Sequence, residues 1–229
     1  MDEPVHYQII RSKRRRRTLA LSVESNGTVI VRVPLRVTRE TAHRFVKEKK
    51  RWIHRKLKQI RERQGHWKPR EFVPGERFFY LGQPCALQIT QDEEDQRPLV
   101  FGEGLFRLRA GFREKAQNLF IQWYRDEAET VIRQRIQHYQ DRVQVHPRGE
   151  RITSAKYQWG GCSAKNTLTF TWRLMMAPLS VIDYVIVHEL AHIREKNHSP
   201  RFWNIVEQHL PDYRELRKWL RDHGHLLNL

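Results

Sequence analysis

The sequence predicts an α+β protein in two parts. A small, basic, β-rich amino-terminal region with one long helix occupies residues 1–112. A second region, 113–229, combines a scaffold helix, a short antiparallel sheet, a helix bearing a histidine motif and carboxy-terminal helices. Three observations lead there. Short apolar runs broken by Gly, Pro and Asn dominate the first part, apolar residues at helical spacing dominate the second, and charge is unevenly split. The chain of 229 residues has 43 Lys and Arg against 26 Asp and Glu, a formal charge of +17. Residues 1–112 hold 25 against 13, a net +12, and residues 113–229 hold 18 against 13, a net +5.

His6 to Ile10 and Thr18 to Val23 read as strands around the basic run Arg11 to Arg17. That run is either a polyanion-binding turn or a solvated loop. Asn26-Gly27 reads as a hairpin turn and Thr28 to Val33 as the returning strand. A helix follows over 38–64, with Thr38 as its N-cap. It carries 11 Lys and Arg against three Glu between Arg39 and Arg63. Phe45, Val46, Trp52, Ile53, Leu57 and Ile60 form an apolar stripe expected in the core. The opposite, basic face suits nucleic acid, although no recognised nucleic-acid motif accompanies it.

Gly65 to Gly75 reads as a linker. Arg77 to Leu81 and Cys85 to Thr90 form a hairpin through Gly82-Gln83-Pro84, and Asp92 to Asp95 a surface turn. Leu99 to Phe101 and Leu105 to Arg109 form a second hairpin around Gly102-Glu103-Gly104. From Arg113 to about Val143 the spacing turns helical, with Leu119, Phe120, Trp123, Tyr124, Ala128, Val131, Ile132, Ile136 and Tyr139 covering one side. Ile152 to Gln158 and Thr167 to Arg173 read as strands flanking a loop from Trp159 to Asn166. Leu168 to Leu174 is the expected edge strand for an extended peptide.

The chemistry concentrates between Val181 and Phe202, VIDYVIVHELAHIREKNHSPRF. His188 and His192, four apart on a helix, share a face and can aim at one point. His198 follows once the helix has ended. Zinc takes neutral histidine nitrogens at about 2.0–2.1 Å in a tetrahedral shell, and three histidines leave one position for water. Glu189, next to the first ligand, then suits a general acid/base. Ser180 and Asp183 fit a capping box, and Ser199-Pro200 opens the next helix. Glu195 stands where metzincins have Gly, and Met175 and Met176 lie upstream of the motif, which argues against that group. Glu207 is the alternative third ligand. Cys162 is an alternative donor, read instead as buried and inert. Pro200 to Leu210 and Pro211 to Asp222 read as two short helices, and His223 and His225 as tail.

Trp159-Gly160-Gly161-Cys162-Ser163, LTFTWRLMMAP from Leu168, YVIVHELAH and NHSPRFW together resemble the YgjP-like family, small cytosolic zinc metallopeptidases related to SprT-type proteases. The resemblance implies a zincin-like region with His188, His192 and His198 as zinc ligands and Glu189 as the catalytic residue. Two positions depart from the family pattern: Gly161, where Ser is usual, and Thr171, where Asn is usual.

Two functions are therefore expected to compete. One is a zinc-dependent endopeptidase acting on protein or peptide and recruited to DNA, RNA or another polyanion by its basic part. The other is a nucleic-acid-binding protein with a structural or vestigial zinc site. No run approaches the ~18–20 apolar residues of a membrane helix. With only Cys85 and Cys162 in the chain, the expectation is a cytoplasmic protein without disulfides.

Overall fold

The computed structural model describes residues 5–12, 18–23, 27–64, 70–91, 97–156 and 158–229. The basic run from 13 to 17, Asn26, the linker residues 65–69, the acidic turn 92–95 and Tyr157 lie outside them. The architecture is α+β, with six α-helices and three small sheets among the described residues, each sheet mixed.

The chain forms two compact units, Met1–Lys68 and Pro69–Leu229, where the sequence reading divides it after residue 112. The difference has a physical cause. Phe78 stacks on Phe120 at 4.2 Å and Phe106 lies 4.9 Å from the same ring, so residues 77–109 share one apolar core with the helix that follows. The Tyr124 hydroxyl also donates to the Phe79 carbonyl at 2.6 Å. Charge respects the structural border. Residues 1–68 hold 20 Lys and Arg against six Asp and Glu, net +14, leaving 23 against 20, net +3, for residues 69–229.

In the first unit β3 (Val29–Pro34) lies between β1 (Tyr7–Ser12), parallel to it, and β2 (Ala20–Val23), antiparallel. Val29, Val31 and Val33 are buried there with Ala42, Val46 and Ile53. The predicted single helix is two, α1 (Arg39–Glu48) and α2 (Lys50–Gln64), parted at Lys49 without a Pro or Gly to announce it. Thr38 caps α1, its Oγ1 accepting from the Thr41 N–H at 3.2 Å. Trp52, expected in the core, is 37% exposed. Adjacent helical residues point about 100° apart, and Ile53 takes the inward position.

The second unit opens with β4 (Arg77–Tyr80), β5 (Gln83–Thr90), β6 (Leu99–Gly102) and β7 (Leu105–Arg109), in the order β4-β5-β7-β6. Both hairpins turn on two residues, Leu81-Gly82 and Glu103-Gly104, all at positive φ, as type I′ turns demand. The first tip presses on the segment that leads into the helix of the histidine motif. Its Leu81 N–H donates to the Met175 carbonyl at 2.8 Å, and a Cβ on Gly82 would lie 2.9 Å from Pro178 Cα.

Helix α3 (Ala116–Val143) buries Ala116, Phe120, Tyr124, Ala128, Ile132, Ile136, Tyr139 and Val143, one residue per turn. Beyond it β8 (Gly149–Thr153), β9 (Gly160–Cys162) and β10 (Thr167–Thr171) form a sheet in the order β8-β10-β9. It corrects two expectations. The sheet is mixed rather than antiparallel, because β8 runs parallel to β10. Its edge towards the histidine motif is β9, not the segment from Leu168, since β10 is the central strand and gives way to a buried 3₁₀ turn at Trp172–Met176.

Helix α4 (Leu179–Arg194) carries the histidine motif. The predicted capping box is absent: Pro178 caps the helix without a side-chain bond, and Asp183 lies inside it, buried. There Asp183 accepts from Arg135 of α3 at 2.6 and 2.8 Å and from the Tyr139 hydroxyl at 3.2 Å. Helices α5 (Pro200–His209) and α6 (Tyr213–His223) follow, α6 starting two residues later than its proline suggested. The expected tail is partly core, with Gly224, Leu227 and Leu229 buried.

Removing one partner of a buried ion pair strands the other charge and costs about 3–5 kcal/mol. Arg135→Ala should lower stability by about 3 kcal/mol in urea denaturation, and Arg135→Met combined with Asp183→Leu should recover most of it. A loss under about 1 kcal/mol, as for an exposed pair, would show that Asp183 is solvated.

Candidate metal centre

One face of α4 is committed to the core through Val181, Ile182, Val185, Ile186 and Leu190. Four-residue spacing then sets His188 and His192 together on another. The helix ends at Arg194, and Glu195 is extended (φ −125°, ψ 104°). The chain folds back at once, with the Ser199 N–H donating to the Asn197 carbonyl at 2.8 Å and Ser199 Oγ accepting from the Phe202 N–H at 3.3 Å as the N-cap of α5. That reversal returns His198 to α4, where its Nε2 lies 3.0 Å from His188 Nε2. The ligand atoms of all three histidines lie within 4.8 Å of one another.

Aromatic packing holds the rings in place. Phe202, fully buried, lies 4.8, 4.5 and 4.8 Å from the His188, His192 and His198 rings. Trp203 stacks on His198 at 5.6 Å. His192 Nδ1 is 3.0 Å from the Glu195 carbonyl. A carbonyl only accepts, so Nδ1 carries the proton and Nε2 keeps its lone pair. Burial, helped by the neighbouring imidazoles and Arg217, brings His188 down to about 3, and burial also lowers His192. Both are neutral at pH 7, the state a metal needs. Nitrogens on a tetrahedral zinc ion lie about 3.3 Å apart, from bonds of about 2.0–2.1 Å, so the observed convergence fits a divalent ion.

Glu189 is buried, and its carboxyl lies against the backbone of β9. A Cβ on Gly160 would fall 2.7 Å from both Glu189 Cγ and Oε1. At Gly161 a Cβ would instead meet the Gln158 amide at 2.6 Å and Thr169 Oγ1 at 3.0 Å. Position 161 therefore borders Gln158, not the carboxyl. Trp159, leading into β9, packs on Gly224, whose Cβ would come within 2.6 Å of the indole.

The two alternative donors fall outside the cluster. Glu207 pairs with Arg214 at 3.2 Å. Cys162, expected to be buried, is half-buried, and its Sγ lies 3.8 Å from Lys196 Nζ, which donates to Asn166 Oδ1 at 2.7 Å. The sequence reading did not assign Gly160 or Asp183 a part in the site. A run of two glycines and a cysteine reads as loop, and S-x-x-D looks the same whether it caps a helix or lies within one.

The YgjP-like metallopeptidase domain profile matches residues 17–223. No curated protein matches the chain. The crystal structure of the metallopeptidase zymogen of Pyrococcus abyssi abylysin is similar at 25% identity, over 42% of this chain and 94% of that one, with a TM-score of 0.38.

Without metal, burial pushes the Glu189 carboxyl up from 4.5 to about 8. A group raised on folding stabilises the fold below its unfolded value and loses that contribution as pH climbs to the folded one. Stability of the metal-free protein should therefore fall from about pH 4.5 to about pH 8 through Glu189. His188, lowered from 6.5 to about 3, acts oppositely, its contribution fading as pH drops below 6.5. Glu189→Gln should flatten the decline above pH 6.5 in urea denaturation with chelator present. An unchanged slope there would place the carboxyl in solvent.

Proposed function

Because the chain belongs to the YgjP-like metallopeptidase family, we propose that it is a zinc-dependent endopeptidase in which His188, His192 and His198 hold the ion and Glu189 is the general acid/base. The observation that carries this reading is the convergence of three histidines beside a buried carboxyl that faces a strand edge. Bound zinc supplies Lewis acidity, polarising a carbonyl and bringing the pKa of water to about 7. The side chains do the rest. Neutral His188 and His192 present lone pairs without first losing protons. Glu189 takes the proton of the attacking water and delivers one to the leaving amine. Its buried seat against Gly160 keeps bulk water from competing for the carboxyl.

Substrate binding is assigned to β9. One side of this strand pairs with β10. The other is free to add an extended peptide through main-chain hydrogen bonds, with Gly160 and Gly161 allowing close approach. An edge that takes a chain along its length suits internal cleavage. The net +14 of residues 1–68 supports recruitment to nucleic acid or another polyanion. The free thiols of Cys85 and Cys162 suit a reducing cytoplasm.

Elemental analysis should find about one zinc per chain, as three histidines and water would hold, and much less in His198→Ala. Glu189→Gln should retain zinc yet hydrolyse an unfolded protein substrate at least ~10²-fold more slowly, the loss expected without acid–base catalysis. Gly160→Ala should also retain zinc and lower kcat more than it raises KM, since its methyl displaces Glu189. Wild-type turnover by Glu189→Gln would rule out the assigned role.

A further inference from the structure

We propose that a groove in the first unit, between β1 and the exposed face of α1, binds a segment of single-stranded nucleic acid. The proposal deepens the polyanion-recruitment reading and rests on it, but not on the peptidase site. The groove is open, encloses about 530 Å³, and is lined by Tyr7 and Ile9 of β1 and by Arg39, Glu40, His43, Arg44 and Lys47 of α1.

Its chemistry follows from two periodicities. Tyr7 and Ile9 are two apart on a strand and share a face, which makes one wall aromatic and aliphatic. Arg39, His43 and Lys47 recur every four residues along α1, a rise of about 6 Å each, with Arg44 beside them. The other wall is thus a row of side chains at a spacing that can follow successive phosphates. All five lining residues of α1 are exposed. The Tyr7 hydroxyl lies 3.0 Å from His43 Nδ1, joining the two walls.

The state of the charges indicates the ligand. Arg39, Arg44 and Lys47 have no ion pair or side-chain hydrogen bond among the described residues, and Glu40 is the single acid among the lining residues. Three arginines of the second unit are matched, Arg107 with Glu103 at 2.9 Å, Arg133 with Glu150 at 2.9 Å and Arg214 with Glu207 at 3.2 Å, whereas no such pair among the described residues neutralises the groove. Three unneutralised cations along one groove, in a unit of net +14, repel one another and are relieved by a polyanion that releases its counterions on binding. A cationic wall opposite an aromatic one is how sequence-independent single-strand sites are built. A regular duplex meets the cations but leaves Tyr7 and Ile9 unused.

The test is fluorescence anisotropy of a labelled oligothymidylate against the full chain, titrated at several salt concentrations. Arg39→Ala/Arg44→Ala/Lys47→Ala should lose at least about ten-fold in affinity, and its salt slope should fall by about 2, from three contacts at about 0.7 each. A control removing the same charge from exposed α2 positions, Arg51→Ala/Arg55→Ala/Lys56→Ala, should lose less than about three-fold. Equal losses in the two triples would replace the groove with a diffuse field and overturn the proposal. So would tighter binding of a duplex, or a groove-dependent preference for polyglutamate over the oligonucleotide. No binding by the wild type would overturn the recruitment reading as well. Zinc content and peptide hydrolysis should be unchanged in both triples, which separates failure here from failure of the peptidase assignment.

Discussion

The second unit depends on burying the helix that carries the histidine motif. In α4, Val181 to Val187 and Glu189 to Ala191 are all buried, so the helix is enclosed nearly all round, as apolar core helices are. Yet it includes Asp183, His188 and Glu189. Uncompensated buried charge costs several kcal/mol per ion, and each residue meets that constraint differently. Asp183 receives two guanidinium bonds and a tyrosine hydroxyl. His188 gives up its proton. Glu189 retains its proton until an adjacent cation favours the carboxylate. Structural and chemical groups on one helix are thus told apart by their partners. Asp183 is saturated by protein donors, whereas His188 Nδ1 and the Glu189 carboxyl make no hydrogen bond among the described residues.

What was legible in the sequence follows from how local each signal is. The convergence of His188 and His192 needs only the helical period, and the return of His198 needs only a cap at Ser199. Both lie within a few residues. The border between units was misplaced because it depends on Phe78 meeting Phe120 and on Tyr124 reaching the Phe79 carbonyl, contacts more than forty residues apart. Charge was a better guide than strand content, but only when counted to residue 68. Asp183 was misread because its role is defined by Arg135, far away on α3, while the S-x-x-D pattern around it resembles a cap. Strand β9 was misread as loop because glycine is rare in strands unless another group approaches closely. Here that group is the Glu189 carboxyl.

The units also treat cations differently. In the second, several arginines are structural residues. Arg135 secures α4, and Arg113 donates to the Phe72 carbonyl at 3.1 Å. Arg173, buried against the Trp172 ring at 4.2 Å, bonds the Ser154 carbonyl at 3.0 Å and Asn228 Oδ1 at 3.3 Å. In the first unit, Arg11 donates to the Leu35 carbonyl at 2.7 Å and the Val37 carbonyl at 2.8 Å, while Arg39, Arg44 and Lys47 of α1 have no ion pair among the described residues. A small core of valines, one alanine and one isoleucine leaves little reason for such repulsion unless it serves binding.

Strand β9 shows why the residues after α6 matter to the site. A strand of three residues, two of them glycine, has little side-chain burial to hold it, and one edge is left open for pairing. Its support comes from both ends. On one side Trp159 is fitted against Gly224, so tightly that any side chain there would strike the indole. On the other, Lys196 reaches across to Asn166 at 2.7 Å, tying the turn between the second and third histidines to the β9–β10 connection. Arg173 then joins Asn228 to the Ser154 carbonyl just past β8. The edge and the histidine cluster are therefore braced by shared residues, and Gly160 does what no other residue can: bring a main chain within contact of the Glu189 carboxyl.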